Sequence, residues 1–279
     1  MTPHSLNKYP LNESPLGDYL ESLRRSTPLV HCITNYVAMN STANVLLAVG
    51  ASPAMLHAIE EVADFTAIAG ALSINIGTIS SPWAEAMLTA ANTANRQGIP
   101  WILDPVAVGA TRFRQTLCAE LLAHQPTVIR GNASEILALM GLAGQGRGVD
   151  ATTSTQDAVS GAIALAQRHG SVVAMTGEED FITNGHQHVR LTGGHPLMPK
   201  VTTLGCGLSA LVAGFVACNR EHPFEASIAA LASFALAGSR AGERATGPGS
   251  FQVALLDALY QLTPNDLSTA THLEAVHVV

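Results

Sequence analysis

Ser81-Pro82-Trp83 at one end and Gly98-Ile99-Pro100-Trp101-Ile102-Leu103-Asp104-Pro105 at the other bound the stretch that decides the fold. A serine before proline marks a helix start, because proline's fixed φ suits the first turn and its missing N–H is not needed there. Gly98-Ile99-Pro100 closes that helix, predicted over Pro82–Arg96, and Trp101–Leu103 follows as a short apolar strand. The strand lacks strict alternation, as expected where helices cover both faces of a sheet. The same unit recurs outward along the chain. Further strands are predicted at Leu29–Ile33, Ala71–Ile76, Thr127–Arg130 and Val172–Met175. Helices are predicted at Tyr36–Val49, Arg112–Leu122, Ser134–Met140 and Gln156–Arg168. Alternating strands and helices imply an α/β fold: a doubly wound, mostly parallel sheet with helices on both faces. A single domain over residues 1–279 is expected, ordered over about 15–262, with flexible termini.

The alternation breaks after Val172–Met175. Asn184-Gly185, between Phe181-Ile182 and Val189-Arg190-Leu191, is a hairpin signal, so the far part of the sheet is expected to carry antiparallel strands. After Thr203 the pattern is helical to the end, around Gly207–Cys218, Phe224–Gly238 and Phe251–Leu262.

Composition narrows the function classes. The 279 residues are 47% hydrophobic and 13% charged, which excludes intrinsic disorder and a charged repeat array. So few charges on a chain of mean hydropathy +0.25 suggest that partner subunits cover part of the surface. Fourteen Lys and Arg against 21 Asp and Glu leave a net −7 and no basic run. Duplex nucleic acid is therefore not an expected partner, since its affinity comes from neutralised phosphates. A small anion needs only a local arginine or free backbone N–H groups. Cys32, Cys118, Cys206 and Cys218 show no C-x-x-C spacing, so neither zinc nor a redox dithiol is indicated. The N-terminal residues lack the apolar core of a secretory signal. The longest apolar run, Leu204–Cys218, has 15 residues, short of the roughly 20 that a membrane span needs. It reads as a buried helix, with no membrane partner and a cytoplasmic location expected.

In open α/β sheets ligands bind at the carboxyl ends of strands, and polar groups cluster there. Asp104 ends Trp101–Leu103, Arg130-Gly131-Asn132 ends Thr127–Ile129, and Thr176-Gly177-Glu178 ends Val172–Met175. Asp104 suits a metal-bound water or a substrate hydroxyl, or else a turn before proline. Glu135 suits Mg²⁺, but Asn132-Ala133-Ser134-Glu135 also has the spacing of a capping box, and both roles are compatible. Thr202-Thr203-Leu204-Gly205-Cys206-Gly207-Leu208-Ser209 opens an apolar helix whose free N–H groups make an anion site. The helix dipole there is expected to favour a Cys206 thiolate; the plainer reading is a small cysteine packed between glycines.

Other segments point to no chemistry. Gly144-Gln145-Gly146-Arg147-Gly148 follows a helix, not a strand, so it fails the context of a dinucleotide loop, and there is no P-loop. His186 and His188 read as a solvated hairpin rather than metal ligands. His31 and Cys32 are adjacent in a strand and face opposite ways, which rules against a dyad. Glu60-Glu61 and Arg112/Arg114 read as solvated helix faces.

Taken in order, the segments resemble one family. Ser26-Thr27-Pro28-Leu29-Val30-His31-Cys32-Ile33-Thr34-Asn35, Thr42-Ala43-Asn44 and Leu47–Met55 match it, as do Asn75-Ile76-Gly77-Thr78, Leu103–Ala110 and Ile129–Ile136. Thr176-Gly177-Glu178, Gly205-Cys206 and Gly247–Phe251 complete a set running from about residue 20 to 262. The chain resembles the hydroxyethylthiazole kinases of thiamine salvage, which have the ribokinase-like fold. The resemblance implies ATP-dependent, Mg²⁺-assisted phosphorylation of a thiazole alcohol by a homotrimer with sites between subunits. It implies that Met55 and Asn35 line the substrate pocket, Arg130 and Thr176 contact ATP, and Asp104 and Glu135 organise Mg²⁺. Gly205 would belong to the anion hole and Cys206 would be the catalytic residue. The family's pattern has glycine where this chain has Thr203, a residue expected to border the substrate. A nucleotide-dependent dehydratase on the same fold and a catalytically silent binding protein are the alternatives.

Overall fold

The computed structural model describes residues 15–142, 155–269 and 272–275. The chain begins with α1 (Leu16–Ser26), β1 (Leu29–Ile33), α2 (Met39–Val49), β2 (Ser52–Met55), α3 (Val62–Ile68) and β3 (Ala71–Asn75). It continues through α4 (Ser81–Gln97), β4 (Trp101–Asp104), α5 (Arg112–Ala123), β5 (Val128–Asn132) and α6 (Ala133–Leu142). Next come α7 (Thr155–His169), β6 (Val172–Thr176), β7 (Glu179–Thr183) and β8 (His188–Thr192). The last elements are α8 (Leu204–Ala217), α9 (Pro223–Arg244), α10 (Pro248–Gln261), α11 (Pro264–Thr269) and β9 (His272–Ala275). The glycine-rich segment 144–148 lies outside the described residues.

One sheet holds all the strands in the order β2-β1-β3-β4-β5-β6-β7-β8-β9. Pairing is parallel from β2 to β6 and antiparallel from β6 to β9. The α/β class and the doubly wound, mostly parallel sheet are thus as read from the sequence. The hairpin falls at Asn184-Gly185, where Gly185 takes φ 89° and supplies the left-handed turn residue.

Helices cover both faces. On one side α1, α2, α8, α9 and α10 bury Leu20, Leu23, Leu46, Phe215, Phe234 and Phe251 against Val30, Ile102 and Val128. On the other, α3 to α7 bury Trp83, Met87, Leu121, Leu139 and Leu165 against Leu72, Ile74, Leu103 and Ile129. The strands β1, β3, β4, β5 and β6 therefore have apolar side chains on both faces, which is why no alternation shows in the sequence. The run Leu204–Cys218 is a helix buried almost throughout. Among the described residues no helix is long and apolar enough to cross a membrane.

Some expectations need correction. The chain is not helical to its end: β9 pairs antiparallel with β8 and closes that edge of the sheet. The helix after β3 starts at Ser81, so Ser80 is the residue that precedes it, and its side chain makes no capping bond. Neither β2 nor α3 is marked by any pattern in the sequence. β2 contains Pro53, which a strand tolerates at a sheet edge, where β2 lies.

Candidate active site

Six neighbouring parallel strands end along one rim of the sheet. Across it stand Met55 at the end of β2, Asn35 just beyond β1, Asn75 on β3, Asp104 on β4, Arg130 on β5 and Thr176 on β6. The strand order reverses between β1 and β3, which leaves a crevice at the carboxyl ends. Asn35 and Asn75 bridge that crevice.

Their side chains form one continuous chain of contacts. Asn35 Nδ2 donates to Cys206 Sγ (3.3 Å) and to Asn75 Oδ1 (2.9 Å). Asn75 Nδ2 donates to Asp104 Oδ2 (2.7 Å), which also accepts from Ser209 Oγ of α8 (2.8 Å). The Arg130 guanidinium lies 4.0 Å from the same oxygen and donates to Thr176 Oγ1 (2.5 Å). Cys206, Asn35, Asp104, Arg130 and Thr176 are thereby brought together. Met55 stands at the far end of the rim, packed against the core. The next carbonyl, Leu56 O, accepts from His31 Nε2 (3.0 Å), and the Thr66 hydroxyl lies 3.0 Å from His31 Nδ1. Burial pushes the His31 pKa down to about 4, so His31 is a neutral structural histidine and no partner of Cys32.

The electrostatics are set by burial. Asp104 is fully buried, and desolvation raises its pKa to about 6, against the pull of Arg130 and its hydrogen bonds and with the push of Glu135. Its Oδ1 has no hydrogen-bond partner, and neither has Arg130 Nε. Such orphaned polar atoms, buried beside one another, are ready to meet a ligand. Cys206 departs from expectation. Its thiol pKa is raised, first by burial and then by Asp104, and Asn35, Asn75 and Arg130 offset this only in part. Desolvation and a neighbouring carboxylate outweigh the helix dipole, so the resting group is the thiol.

Two helix starts flank Asp104. At α6, Asn132 Oδ1 accepts from the Glu135 N–H (3.0 Å) while Glu135 Oε2 accepts from the Asn132 N–H (2.9 Å), a reciprocal capping box. Glu135 Oε1 takes the Ala107 N–H as well (3.0 Å), which ties the β4–α5 loop to α6. At α8, Thr203 precedes the helix at φ 71° and makes no capping bond to it. A Cβ on Gly205 would stand 2.7 Å from Arg130 Nη1, so only glycine leaves the guanidinium its place.

Several residues around the rim escaped the sequence reading. Asn75 was placed inside a strand predicted to run to Ile76; the strand ends at Asn75, and the amide is therefore at the rim. Ser209 lies one turn into an apolar helix, where nothing but the fold could reveal Asp104 opposite. Asp180 Oδ1 accepts from the Gly177 N–H (3.1 Å) and shapes the turn after β6; burial lifts its pKa to about 6. Arg114 corrects a prediction outright. It is not a solvated helix face but is half-buried, donating to Val106 O (2.9 Å), Gly77 O (2.7 Å) and Ile76 O. It thus clamps together the loops that follow β3 and β4. His188, by contrast, stacks on Phe181 and pairs with Thr183 Oγ1 (2.8 Å) in the hairpin.

Comparison with known proteins now bears on this rim. The sequence matches the hydroxyethylthiazole kinase family over residues 20–265. A hydroxyethylthiazole kinase of Cereibacter sphaeroides is 57% identical over 259 residues, 93% of this chain and 98% of that protein. The chain belongs to the hydroxyethylthiazole kinase family. Within solved structures, a hydroxyethylthiazole kinase from Pyrococcus horikoshii OT3 superposes with a TM-score of 0.87 at 39% identity, over 94% of this chain and 99% of that one. A pyridoxal kinase from Staphylococcus aureus, in complex with AMP-PCP and pyridoxal, gives 0.61 at 17% identity over 76% and 88%, and shares the ribokinase-like fold.

Proposed function

We propose that the chain transfers the terminal phosphoryl group of ATP to the hydroxyethyl oxygen of 4-methyl-5-(2-hydroxyethyl)thiazole, the step that salvages this alcohol for thiamine. The observation that carries the assignment to residues is the unbroken contact chain from Cys206 to Thr176. Phosphoryl transfer asks mainly for alignment and charge stabilisation. Arg130 and Thr176 suit the nucleotide phosphates at one end of the rim; Asn35, Met55 and Thr203 suit the thiazole alcohol at the other. Exposed Tyr36 and half-exposed His57, ring to ring with Trp83 at 4.8 and 4.0 Å, set aromatic faces next to Met55 for a flat heterocycle. Between the two ends, the Gly205 N–H at the open start of α8 suits the oxygens of the group in transit.

Cys206 accepts the hydroxyl proton. A neutral thiol sulfur is too weak a base, so turnover draws on the thiolate fraction that Asn35 and Arg130 favour. Among the described residues no three His, Cys, Asp or Glu side chains gather as a metal cage. A pair of carboxylates fits Mg²⁺, which takes one or two of them and completes its shell with water and phosphate oxygens. Asp104, with its orphaned Oδ1, and Glu135 beside it would hold the ion. Bound Mg²⁺ supplies charge neutralisation on the phosphates.

The assembly is a homotrimer with active sites between subunits. Tyr36, Val37, Leu47, Ile59 and Ile68 are exposed apolar side chains on the segments that precede and follow β2 in sequence, which supports an interface at that edge of the sheet. The kinase is a single domain working in the cytoplasm. The dehydratase and the silent binding protein gain no support: the relatives named are kinases, and the contact chain is complete.

ADP release from Mg-ATP, assayed against thiazole, pyrimidine and sugar alcohols, tests the reading. The thiazole alcohol should give a phosphorylated product. Turnover of another alcohol with no phosphorylated thiazole overturns the substrate, and a scattering mass near 29.0 kDa overturns the trimer.

A further inference from the structure

Thr203 holds a backbone conformation that its side chain resists. At φ 71° and ψ −1° it is left-handed, and a β-branched residue is a genuine outlier there. Thr27 is left-handed too, at φ 44°, but it follows the C-terminus of α1, where helices often end that way. Thr203 precedes a helix, where extended backbone is the rule. Something outside the residue must hold it, since a strained conformation persists only where its surroundings over-determine it.

The holding group is on α2. Ser41 Oγ lies 2.5 Å from Thr203 Oγ1, which also donates to its neighbour Thr202 O (2.5 Å). Either hydroxyl can be the donor between the two, and Ser41 Oγ also donates to Ala38 O (3.1 Å), so the pair is tied to backbone on both sides. One turn along both helices the seating repeats. A Cβ on Gly207 would stand 3.2 Å from Val45 Cγ2, so α8 approaches α2 as closely as glycine allows. Ser41 and Val45 on α2 thus meet residues 203 and 207 at the start of α8, four apart on each side. The Thr203 carbonyl accepts the first backbone bond of α8, from Gly207 N–H (2.9 Å). The orientation of this one peptide therefore aims the turn that carries Gly205 and Cys206.

We propose that Ser41 is a positioning residue for phosphoryl transfer: its hydroxyl holds Thr203 in the left-handed conformation that points the first turn of α8 at the reacting atoms. The role is specific to a chain with threonine at this position. Glycine adopts the same φ freely and needs no tether. The proposal rests on the placement of Gly205 and Cys206 in the active site.

A double-substitution cycle tests it, using the full-length protein with Mg-ATP and the thiazole alcohol. Ser41→Ala alone should lower kcat by about 10- to 100-fold, since small misplacements near the chemistry cost that much. KM for ATP should stay near its starting value, and Ser41→Thr, which keeps the hydroxyl, should restore most of the rate. Introduced into Thr203→Gly protein, Ser41→Ala should cost nothing further. Equal fractional losses in the two backgrounds, or no loss from Ser41→Ala alone, overturn the proposal. So does a Ser41→Ala chain that fails to fold in both backgrounds, whereas folding rescued by Thr203→Gly supports it. Should the unmodified protein release no ADP, the kinase reading falls separately, and the cycle is read in melting temperature. A drop on Ser41→Ala confined to the threonine background then supports the tether, and equal drops overturn it.

Discussion

α6 and α8 both begin beside Asp104, and they begin in opposite ways. The start of α6 is closed: Asn132 and Glu135 satisfy each other's backbone N–H groups, and Ser134 Oγ donates to the same Asn132 oxygen (2.7 Å). The start of α8 is open: the side chain of the residue before it makes no capping bond. The closed start fixes a carboxylate and a loop. Under the proposed function, the open start offers its donors to an anion that arrives and leaves. A phosphotransferase needs both, because charge must be held in place on one side of the transferred group and received on the other.

The largest effect lies at the open start. Cys206→Ala should lower kcat with the thiazole alcohol by about 10²–10⁴-fold, the usual worth of a positioned proton acceptor. ATP affinity and melting temperature should stay close to those of the unmodified enzyme. Cys206→Asp should keep activity, since a carboxylate can take the same proton. A folded Cys206→Ala protein with undiminished kcat would make the cysteine a packing residue and remove the functional half of the contrast.

Asp104 stands between the two starts, bonded from α8 through Ser209 and raised in pKa first by its burial and then by Glu135 on α6. Its folded pKa of about 6 lies above the ordinary 3.8. The folded state therefore binds its proton more tightly than the unfolded state. Stability is lost as pH rises from about 4 through 6, by up to about 3 kcal/mol. In metal-free buffer Asp104→Asn should melt higher than the unmodified protein at pH 7.5, and the gap should close by pH 4. Activity should be lost at every pH. A gap that stays constant with pH would show that Asp104 is not strained by its burial.

The smallest effect is expected at the closed start. Asn132→Ala removes a cap, which costs about 1 kcal/mol. Chemical denaturation should show that loss while kcat falls only slightly, because Glu135 keeps the Ala107 N–H. A large fall in kcat with unchanged stability would mean that the capping box is part of the chemistry, and the two starts would no longer differ in kind.

What the sequence disclosed follows the same division. Asp104, Arg130 and Thr176 were legible because each follows an apolar run and stands next to proline or glycine; Asp104 and Thr176 do close their strands, whereas β5 runs past Arg130 to Asn132. The capping box at Asn132 and Glu135 was legible because its spacing is local. Features made by distant parts of the chain were not. Nothing around Arg114 announces three carbonyls from two other loops, and nothing around Thr203 announces a positive φ. The thiolate expected at Cys206 failed for the same reason: the dipole is local, while the burial and the Asp104 carboxylate that override it are not. β2 and β9, each of 4 residues at a sheet edge, carry too little apolar patterning to stand out from loops.

The separations along the chain also give the site a place in time. Neighbouring strands follow closely in sequence, so the parallel rim can assemble as the polypeptide emerges. Ser209 meets Asp104 across 105 positions, and Cys206 meets Asn35 across 171. Contacts this remote are slow to form. During synthesis, then, the rim residues emerge well before the helix that completes the site. A nascent polypeptide halted after Thr203 would carry the rim residues from Asn35 to Thr176 with no α8 to complete them.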